Sequence, residues 1–331
     1  MSAMTTRSGE PLDALAARAV LPRFGVAAGA GVTLLHRREN AVFRIDDPTY
    51  ARPWALRVHR RGYRTTAEIR SEIIWMDALR EAGIPTPRAR RGLDGDPLQV
   101  VPLEGAGDGL AVDMFSWIDG RPLQVDDASE CYALVGRTSA LIQRHGRSWR
   151  PPPGFTRPVW ELDALIGARA LWGDYARLDA LSPSALALVD RAAVAARQRL
   201  DAFGRGRDRF GLTHGDLMPD NVLIEGGVPY VIDFDDCGFG WYLYDLATIL
   251  APVVGSPSFA HVRDAWIAGY RTVTPLPDEH VHELDALVMA RLLLGLGWMH
   301  TRRETQMARD FTEAVVHLAC VQAEKILGGR S

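Results

Sequence analysis

The predicted secondary structure changes character once along the chain, near residue 119. Between about residues 32 and 116, segments such as AVFRI (41–45) and WALRV (54–58) alternate apolar and polar residues, as half-buried strands do. One amphipathic helix falls among them, TTAEIRSEIIWMDALREAG (65–83), with Thr66 as its candidate N-cap and Gly83 at its end. A β-rich part followed by a mainly helical part predicts an α+β fold.

Helices are expected to dominate after DGRPL (119–123), the predicted hinge. Before the strands, LDALAARAV (12–20) is expected to form a short helix. After the hinge, apolar residues at helical spacing predict helices over CYALVGRTSALIQRHG (131–146), ELDALIGARALWGDYARL (161–178) and PSALALVDRAAVAARQRLDAF (183–203). The short strands NVLI (221–224) and YVIDF (230–234) predict a hairpin, followed by helix to the end. We therefore divide the chain into an N-terminal lobe, 1–118, and a C-terminal lobe, 119–331, with ligands expected in a cleft between them.

The charge and cysteine content exclude several classes of protein. A formal net charge of −3 over 331 residues gives no overall field for nucleic acid or an anionic membrane. Three scattered cysteines without a CxxC pattern argue against a disulfide framework and a zinc site. The first residues lack the continuous apolar core of a signal peptide, and the apolar stretch around Arg291 is too short to span a bilayer. The cytoplasm is the expected location, and the sequence does not indicate an oligomeric state.

Acidic and amide side chains surround the predicted hairpin. HGDLMPDN (214–221) enters its first strand and VIDFDD (231–236) leaves its second, so Asp216, Asn221 and Asp233 should lie at one rim. Oxygen ligands of this kind hold Mg²⁺, and one carboxylate remains free to accept a proton. Phosphoryl transfer needs that combination, and the spacing matches the catalytic loop and metal motif of kinases.

These motifs resemble those of the aminoglycoside phosphotransferase and choline-kinase-like family, which shares the protein-kinase fold. The matching segments are WALRVHRRGYRTTAEIRSEIIWMDAL (54–79), HGDLMPDNVLI (214–224) and VIDFDDCGFGWYLYDLA (231–247). The resemblance implies a two-lobe kinase fold, ATP and Mg²⁺ as cofactors, Asp216 as catalytic base, and Asn221 and Asp233 as metal ligands. It also implies that Asp245 braces the catalytic loop, and His214 is interpreted as a buried scaffold residue.

In the N-terminal lobe the resemblance places Arg57 where kinases have a lysine that contacts phosphates and pairs with a helix glutamate. Glu72 is the expected partner, with Glu68 as the alternative. Arginine is not equivalent to lysine at a shaped site. Arg57 is expected to clamp phosphates bidentately; it could instead be a surface arginine, or mark a site that binds nucleotide poorly.

Adenine is expected to bind the backbone near Phe115 to Ile118, with Phe115 and Trp117 as candidates by position alone. The side chain of Trp117 is expected to pack in the core. No glycine-rich phosphate loop is present, since AAGAGV (27–32) lacks GxGxxG and GK[ST]. The turn HRREN (36–40) is the expected cover over the phosphates.

The sequence leaves the phosphate acceptor open. Asp235 and Asp236 could touch a second metal or a cationic acceptor, or be solvated or capping acids. Met218 occupies a position where protein kinases usually have lysine, which favours a small-molecule hydroxyl over a protein. The expected function is ATP- and Mg²⁺-dependent phosphorylation of that hydroxyl. The alternatives are a protein Ser/Thr kinase of the same fold and a pseudokinase-like nucleotide-binding module.

Overall fold

The computed structural model describes residues 11–105 and 107–328, which divide into two units. The first unit is mainly a β-sheet, and it contains the described residues up to Asp119 together with Pro151–Arg157. The second contains Gly120–Arg150 and Pro158–Gly328 and is mainly helical. The predicted α+β class is thereby confirmed. Residues 1–10 of the predicted N-terminal lobe lie outside the described residues.

The first unit contains one five-stranded antiparallel sheet with the order β1-β2-β3-β5-β4. Its elements are α1 (Leu12–Val20), β1 (Gly31–Arg37), β2 (Ala41–Asp46), β3 (Trp54–Val58), α2 (Thr66–Glu81), β4 (Leu98–Val101) and β5 (Leu110–Ser116). The predicted short helix and the two strands AVFRI and WALRV are confirmed.

Alternation along β3 gives the sheet two different faces. Leu56 and Val58 are buried in an apolar core that also contains Ala16, Ala17 and Val20 of α1. Successive strand residues point to opposite faces, so Arg57 lies on the face opposite this core. The polar network of the unit is built around it.

Helix α2 begins with a capping box. The Thr65 hydroxyl accepts from the backbone N–H of Glu68 at 3.2 Å, and the Glu68 carboxylate accepts from the backbone N–H of Thr65 at 2.8 Å. These bonds satisfy backbone donors that a helix start leaves unpaired. The N-cap is therefore Thr65, and the predicted Thr66 is wrong. A capping box needs a Glu or Gln three residues after the N-cap, and Glu68 stands in that position relative to Thr65.

The Pro-rich segment after residue 150 is bound to α2. The Arg157 guanidinium donates to the Glu68 carbonyl at 2.9 Å, and the backbone N–H of Thr156 donates to the Ser71 hydroxyl at 2.9 Å. These contacts account for the place of Pro151–Arg157 in the first unit.

The second unit combines eight helices with two small sheets in its described residues. Its helices are α3 (Ser129–Ser148), α4 (Leu162–Leu165), α5 (Pro183–Phe203), α6 (Tyr244–Leu250), α7 (Ser258–Arg271), α8 (Asp278–Val281), α9 (Leu284–Thr301) and α10 (Gln306–Gly328). Its strands are β6 (Arg121–Pro122), β7 (Phe210–Thr213), β8 (Val222–Glu225), β9 (Val228–Val231) and β10 (Gly238–Trp241). The predicted hairpin is β8–β9, and β7 pairs with β10.

Two predictions for this unit are wrong. The helix expected over residues 161–178 is reduced to Leu162–Leu165, because Gly167 and Gly173 adopt φ angles of 101° and 116° that a helix does not allow. Strand β10 interrupts the helical region expected after the hairpin, where glycines alternate with Phe239 and Trp241. In contrast, α5 spans Pro183–Phe203 as predicted, with Ser182 as its cap.

The apolar helix α9 packs against α5, α6 and α10 in the interior of the second unit. Arg291 is buried within it. No helix among the described residues combines the length and the apolar character needed to cross a membrane.

Helices α3 and α7 cross at two glycines. A Cβ atom added at Gly136 would lie 2.0 Å from the Trp266 carbonyl oxygen, and one at Gly269 would lie 1.8 Å from that of Ala133. Both distances are shorter than the non-bonded contacts that Cβ atoms make in proteins, and the atoms in the way belong to the backbone, which cannot rotate aside. The close approach of the two helices therefore requires glycine at both positions.

We expect Gly136→Ala to lower the free energy of unfolding by about 2 kcal/mol or more, because the helices must separate to admit the methyl group. Gly295→Ala in α9 is the matched control, since its added Cβ meets only Val315 at 3.7 Å. The control should be neutral or stabilised by up to about 1 kcal/mol through helix propensity. Urea unfolding of both variants measures this, and equal stability of the two would contradict the packing account.

Candidate active site

The buried carboxylate of Asp245 holds the backbone that precedes Asp216. It accepts from the Thr213 hydroxyl at 2.5 Å, from the backbone N–H of Gly215 at 2.8 Å and from the Gln143 amide at 3.2 Å. Asp245 has no solvent exposure and lies in the first turn of α6. The bracing role that the resemblance implied for Asp245 is confirmed by these contacts.

His214 is a neutral scaffold residue. Its Nδ1 accepts from the backbone N–H of Asp216 at 3.3 Å, so Nε2 carries the proton and donates to the Ile232 carbonyl at 3.0 Å. Burial lowers the pKa of His214, although the carboxylates of Asp245 and Asp216 oppose the shift. The imidazole therefore links the loop to the end of β9 without carrying charge.

Asp216 and Asn221 contact each other within the loop. The Asn221 amide donates to the Asp216 carbonyl at 2.9 Å and lies 3.3 Å from Oδ2 of its carboxylate. The Asp216 Oδ1 atom accepts from Nη2 of Arg291 at 2.7 Å. Because the Asn221 amide nitrogen points to Asp216, its Oδ1 oxygen is directed elsewhere and is suited to a cation.

Asp233 follows β9 in a left-handed conformation, with φ 58° and ψ 66°. It is the one residue other than glycine with positive φ among residues 11–105 and 107–328. Its neighbour Ile232 donates its backbone N–H to the Asn221 carbonyl at 3.0 Å, so the chain at Asp233 is connected to the chain at Asn221. Such backbone strain concentrates at functional sites.

The donor set of Asn221 and Asp233 fits a hard cation that completes its shell elsewhere. Mg²⁺ is commonly held by one or two protein oxygens together with phosphates and water. No cluster of three or more His, Cys, Asp or Glu side chains suited to a metal exists in the part of the chain that the structure describes.

Asp235 and Asp236 are buried, with 3% and 5% exposure. Both belong to a short 3₁₀ helix that follows Asp233. The backbone carbonyl of Asp236 accepts from the Trp160 indole at 2.8 Å, and it would lie 2.5 Å from a Cβ added at Gly215. The interpretation of these two acids as solvated residues is therefore wrong.

Arg57 is buried at the centre of an ionic network in the first unit. It pairs across the sheet with Asp113, and its Nε and Nη2 donate to the two Asp113 oxygens at 3.1 and 2.7 Å. Nη2 also donates to Glu72 at 2.9 Å, and His59 contacts Asp113 at 2.9 Å. Burial would raise the pKa of Asp113, but the charges and hydrogen bonds of Arg57 and His59 together outweigh burial and hold that pKa far below its usual range.

This network decides two of the alternatives for Arg57. Arg57 is 6% exposed, so the interpretation as a surface arginine is wrong. Its expected pairing with Glu72 is confirmed, whereas Glu68 is occupied in the capping box of α2. The bidentate edge that was expected to clamp phosphates is directed at Asp113, and the role of Arg57 toward a nucleotide stays a prediction.

The two adenine-site candidates differ in their surroundings. Phe115 is buried in β5, where the Arg57 guanidinium lies 5.2 Å from its ring centroid. Trp117 is half-buried beyond the end of β5, and the Arg44 guanidinium lies 5.0 Å from its ring. Its backbone groups follow the last paired residue, Ser116, so they lie outside the ladder. Their role in binding adenine remains a prediction.

Sequence reasoning missed Asp113 and Arg291, each of which contacts a predicted site residue. Arg291 carried a signal, because a lone charge in an otherwise apolar helix must find a partner when it is buried. Asp113 gave none, since its register opposite Arg57 depends on how β3 and β5 pair.

We expect Arg57→Met to lower the free energy of unfolding by about 3–5 kcal/mol, because it leaves two buried carboxylates without their cation. The double variant Arg57→Met/Asp113→Leu should recover much of this loss. Arg44→Met is the control, since its ion pair with Asp46 is exposed and its loss should leave the stability close to that of the native protein. A single variant as stable as the native protein in urea unfolding would contradict the network.

We expect His214 to make the protein less stable as the pH falls from about 7 to about 5. The folded protein keeps His214 neutral, whereas in the unfolded chain its imidazole is protonated below about pH 6.5. Protonation therefore stabilises the unfolded chain relative to the folded protein as the pH falls. His214→Gln should reduce the slope of unfolding free energy against pH by up to about 1.4 kcal/mol per pH unit. The exposed His317, changed to Gln, is the control; an unchanged slope in His214→Gln would refute the assignment.

Comparison with known proteins identifies the family. The profile of the phosphotransferase enzyme family matches residues 31–284. The solved structure of a microcompartment-associated aminopropanol kinase is similar over 95% of this chain and 97% of its own, with 30% identity and a TM-score of 0.88. The solved structure of an amicoumacin kinase with AMP-PNP and Ca²⁺ is similar over 94% of this chain and 93% of its own, with 20% identity and a TM-score of 0.74.

A curated relative agrees with the family. The homoserine kinase of Mesorhizobium japonicum is 31% identical over 232 residues, which cover 69% of this chain and 66% of that protein. The predicted protein-kinase-like fold and the predicted family are confirmed. The chain belongs to the phosphotransferase enzyme family, and it is a kinase-type phosphotransferase with an alcohol group as acceptor.

Proposed function

We propose that the chain transfers the γ-phosphoryl group of Mg·ATP to the hydroxyl of a small molecule that also carries an amino group. The observation that carries the proposal is the anchored loop, in which Asp216 presents a carboxylate beside Asn221, with Asp233 at the adjoining strand end. Aminopropanol and homoserine, named in two relatives, share a hydroxyl and an amino group.

In this proposal Asp216 is the base. The acceptor oxygen bonds to the γ-phosphorus as the bond from that phosphorus to the bridging oxygen breaks, and ADP leaves with the electron pair. The hydroxyl proton passes to the Asp216 carboxylate. Asn221 and Asp233 would hold Mg²⁺, which neutralises phosphate charge when bound.

Arg57 and Glu72 are proposed to serve the nucleotide. The Arg57 guanidinium is held by Asp113 and Glu72, so its positive charge would have a fixed position toward the phosphates. Phe115 and Trp117 are proposed to mark the adenine site through the backbone near the end of β5. These assignments are independent of the acceptor.

We expect Asp216→Asn to lower kcat for ADP release by about 10²–10⁴-fold, because the amide cannot accept the proton. Binding of Mg·ATP should survive, so millimolar Mg·ATP should still raise the Tm of the variant. Asp220→Asn, an exposed acid in the same loop, is the control and should keep full activity. The assay is coupled ADP release with 1-amino-2-propanol, homoserine, ethanolamine and an aminoglycoside as acceptors.

The same assay separates the competing functions. Turnover by Asp216→Asn equal to the native rate would refute the base. A native protein whose Tm does not change with millimolar Mg·ATP would favour the pseudokinase-like binding module. Phosphoryl transfer only to proteins would favour a protein kinase.

A further inference from the structure

Arg291 is a buried charge in the middle of an apolar helix. Its side chain is 10% exposed, and its neighbours in α9 from Leu287 to Leu294 are fully buried or nearly so. Burying a guanidinium is costly unless a partner neutralises it. The conformation of this residue is therefore set by what it contacts.

The partner is the carboxylate of Asp216. Nη2 of Arg291 donates to Oδ1 at 2.7 Å. Burial would lower the pKa of the guanidinium, but Asp216, with further contributions from Tyr244 and Asp236, outweighs burial and leaves that pKa above its ordinary value. The loop from His214 to Asn221 contains no lysine or arginine, so α9 supplies the cation that its carboxylate contacts.

Aromatic residues fix the guanidinium in place. Its central carbon lies 4.6 Å from the centroid of the Trp172 ring, and Trp172 meets Trp160 edge-on at 6.1 Å. The Trp172 carbonyl accepts from the Thr301 hydroxyl at 2.7 Å, which ties this segment back to α9. The segment that contains Trp172 is therefore hydrogen-bonded to the helix that carries Arg291, and the cation is preorganised.

Tyr244 interacts with the guanidinium of Arg291. Burial raises the pKa of Tyr244 to about 12, so its hydroxyl is neutral. Asp216 forms the ion pair with Arg291, and the negative charge of Asp236 also acts on the guanidinium.

The two oxygens of Asp216 are held unequally. Oδ1 is bound to Arg291 at 2.7 Å, whereas Oδ2 has the Asn221 amide at 3.3 Å, a longer and weaker contact. A carboxylate with one oxygen fixed and one weakly held is oriented for proton transfer through the second. Rotation of the carboxylate would break its ion pair.

We propose that Arg291 is a positioning residue: it holds Oδ1 of Asp216 so that Oδ2 accepts the proton of the acceptor hydroxyl. The inference rests on the proposed function, in which Asp216 is the base. Arg291 acts through Asp216 and touches neither the phosphates nor the acceptor in this account.

The test uses the full chain in five forms: native, Arg291→Met, Arg291→Lys, Asp216→Asn and the double Arg291→Met/Asp216→Asn. Methionine approximates the length of the arginine stem and removes the charge, so Arg291→Met should have a lower Tm, whereas Arg291→Lys keeps a cation at the position. We expect Arg291→Met to lower kcat by about 100-fold, with KM for ATP within about twofold of native. Lysine should recover part of kcat. The double variant should lose no more than Asp216→Asn alone, because one residue acts through the other.

Arg197→Met is the matched control, since Arg197 of α5 pairs with Asp163 at 2.8 Å and does not contact the loop. It should keep kcat even if its Tm falls. A native kcat in Arg291→Met, or losses that multiply in the double variant, would overturn the inference.

A second readout needs no acceptor. Arg291→Met should lower the Tm more in the native background than in Asp216→Asn, because only the former leaves a charged carboxylate unpaired. Additive Tm changes would overturn the pairing on which the inference rests. If the native protein releases no ADP with any acceptor while the Tm changes are coupled, the proposed function fails and the pairing stands.

Discussion

Hydrogen bonds to the Asp245 carboxylate fix the position of everything that follows in the loop. Thr213 and the Gly215 N–H donate to it from one side and Gln143 of α3 from another, so β7, α3 and α6 meet at one buried charge. Hydrogen bonds to an ionised carboxylate are strong in an interior that excludes water. A buried donor without an acceptor would destabilise the folded protein. The backbone then leads to Asp216 through a neutral His214, which spans from the loop to the end of β9.

Each unit also contains a buried arginine that is held by carboxylates. Arg57 balances Asp113 and Glu72 in the sheet unit, and Arg291 balances Asp216 in the helical unit. Buried ion pairs contribute little net stability compared with apolar packing, and removing one partner is severe. Their presence is better explained by orientation than by stability. In the first unit the ion pairs fix the orientation of the Arg57 guanidinium. In the second, the ion pair holds one oxygen of the Asp216 carboxylate more firmly than the other. In the proposed function both effects would serve a transfer reaction that depends on positioning more than on covalent chemistry.

Features that depend on a local residue pattern could be predicted from the sequence. The strands AVFRI and WALRV, the helix Pro183–Phe203, and the loop with Asp216, Asn221 and Asp233 follow from periodicity and spacing. The helix expected over 161–178 was wrong because two glycines at positive φ outweigh its apolar spacing. The contact of Arg57 with Asp113 joins residues that are 56 positions apart, and that of Arg291 with Asp216 spans 75. Pairing register and helix packing create such contacts, and neither is visible in a local pattern.

The central claim is that a phosphoryl group moves from ATP to the hydroxyl of a small amino-containing molecule. The most direct measurement is ³¹P NMR of a reaction containing the native protein, Mg·ATP and one such acceptor. The account predicts a new phosphomonoester signal that grows in step with ADP and is absent with Asp216→Asn. Formation of inorganic phosphate alone, or a phosphomonoester that forms equally well with the variant, would contradict it.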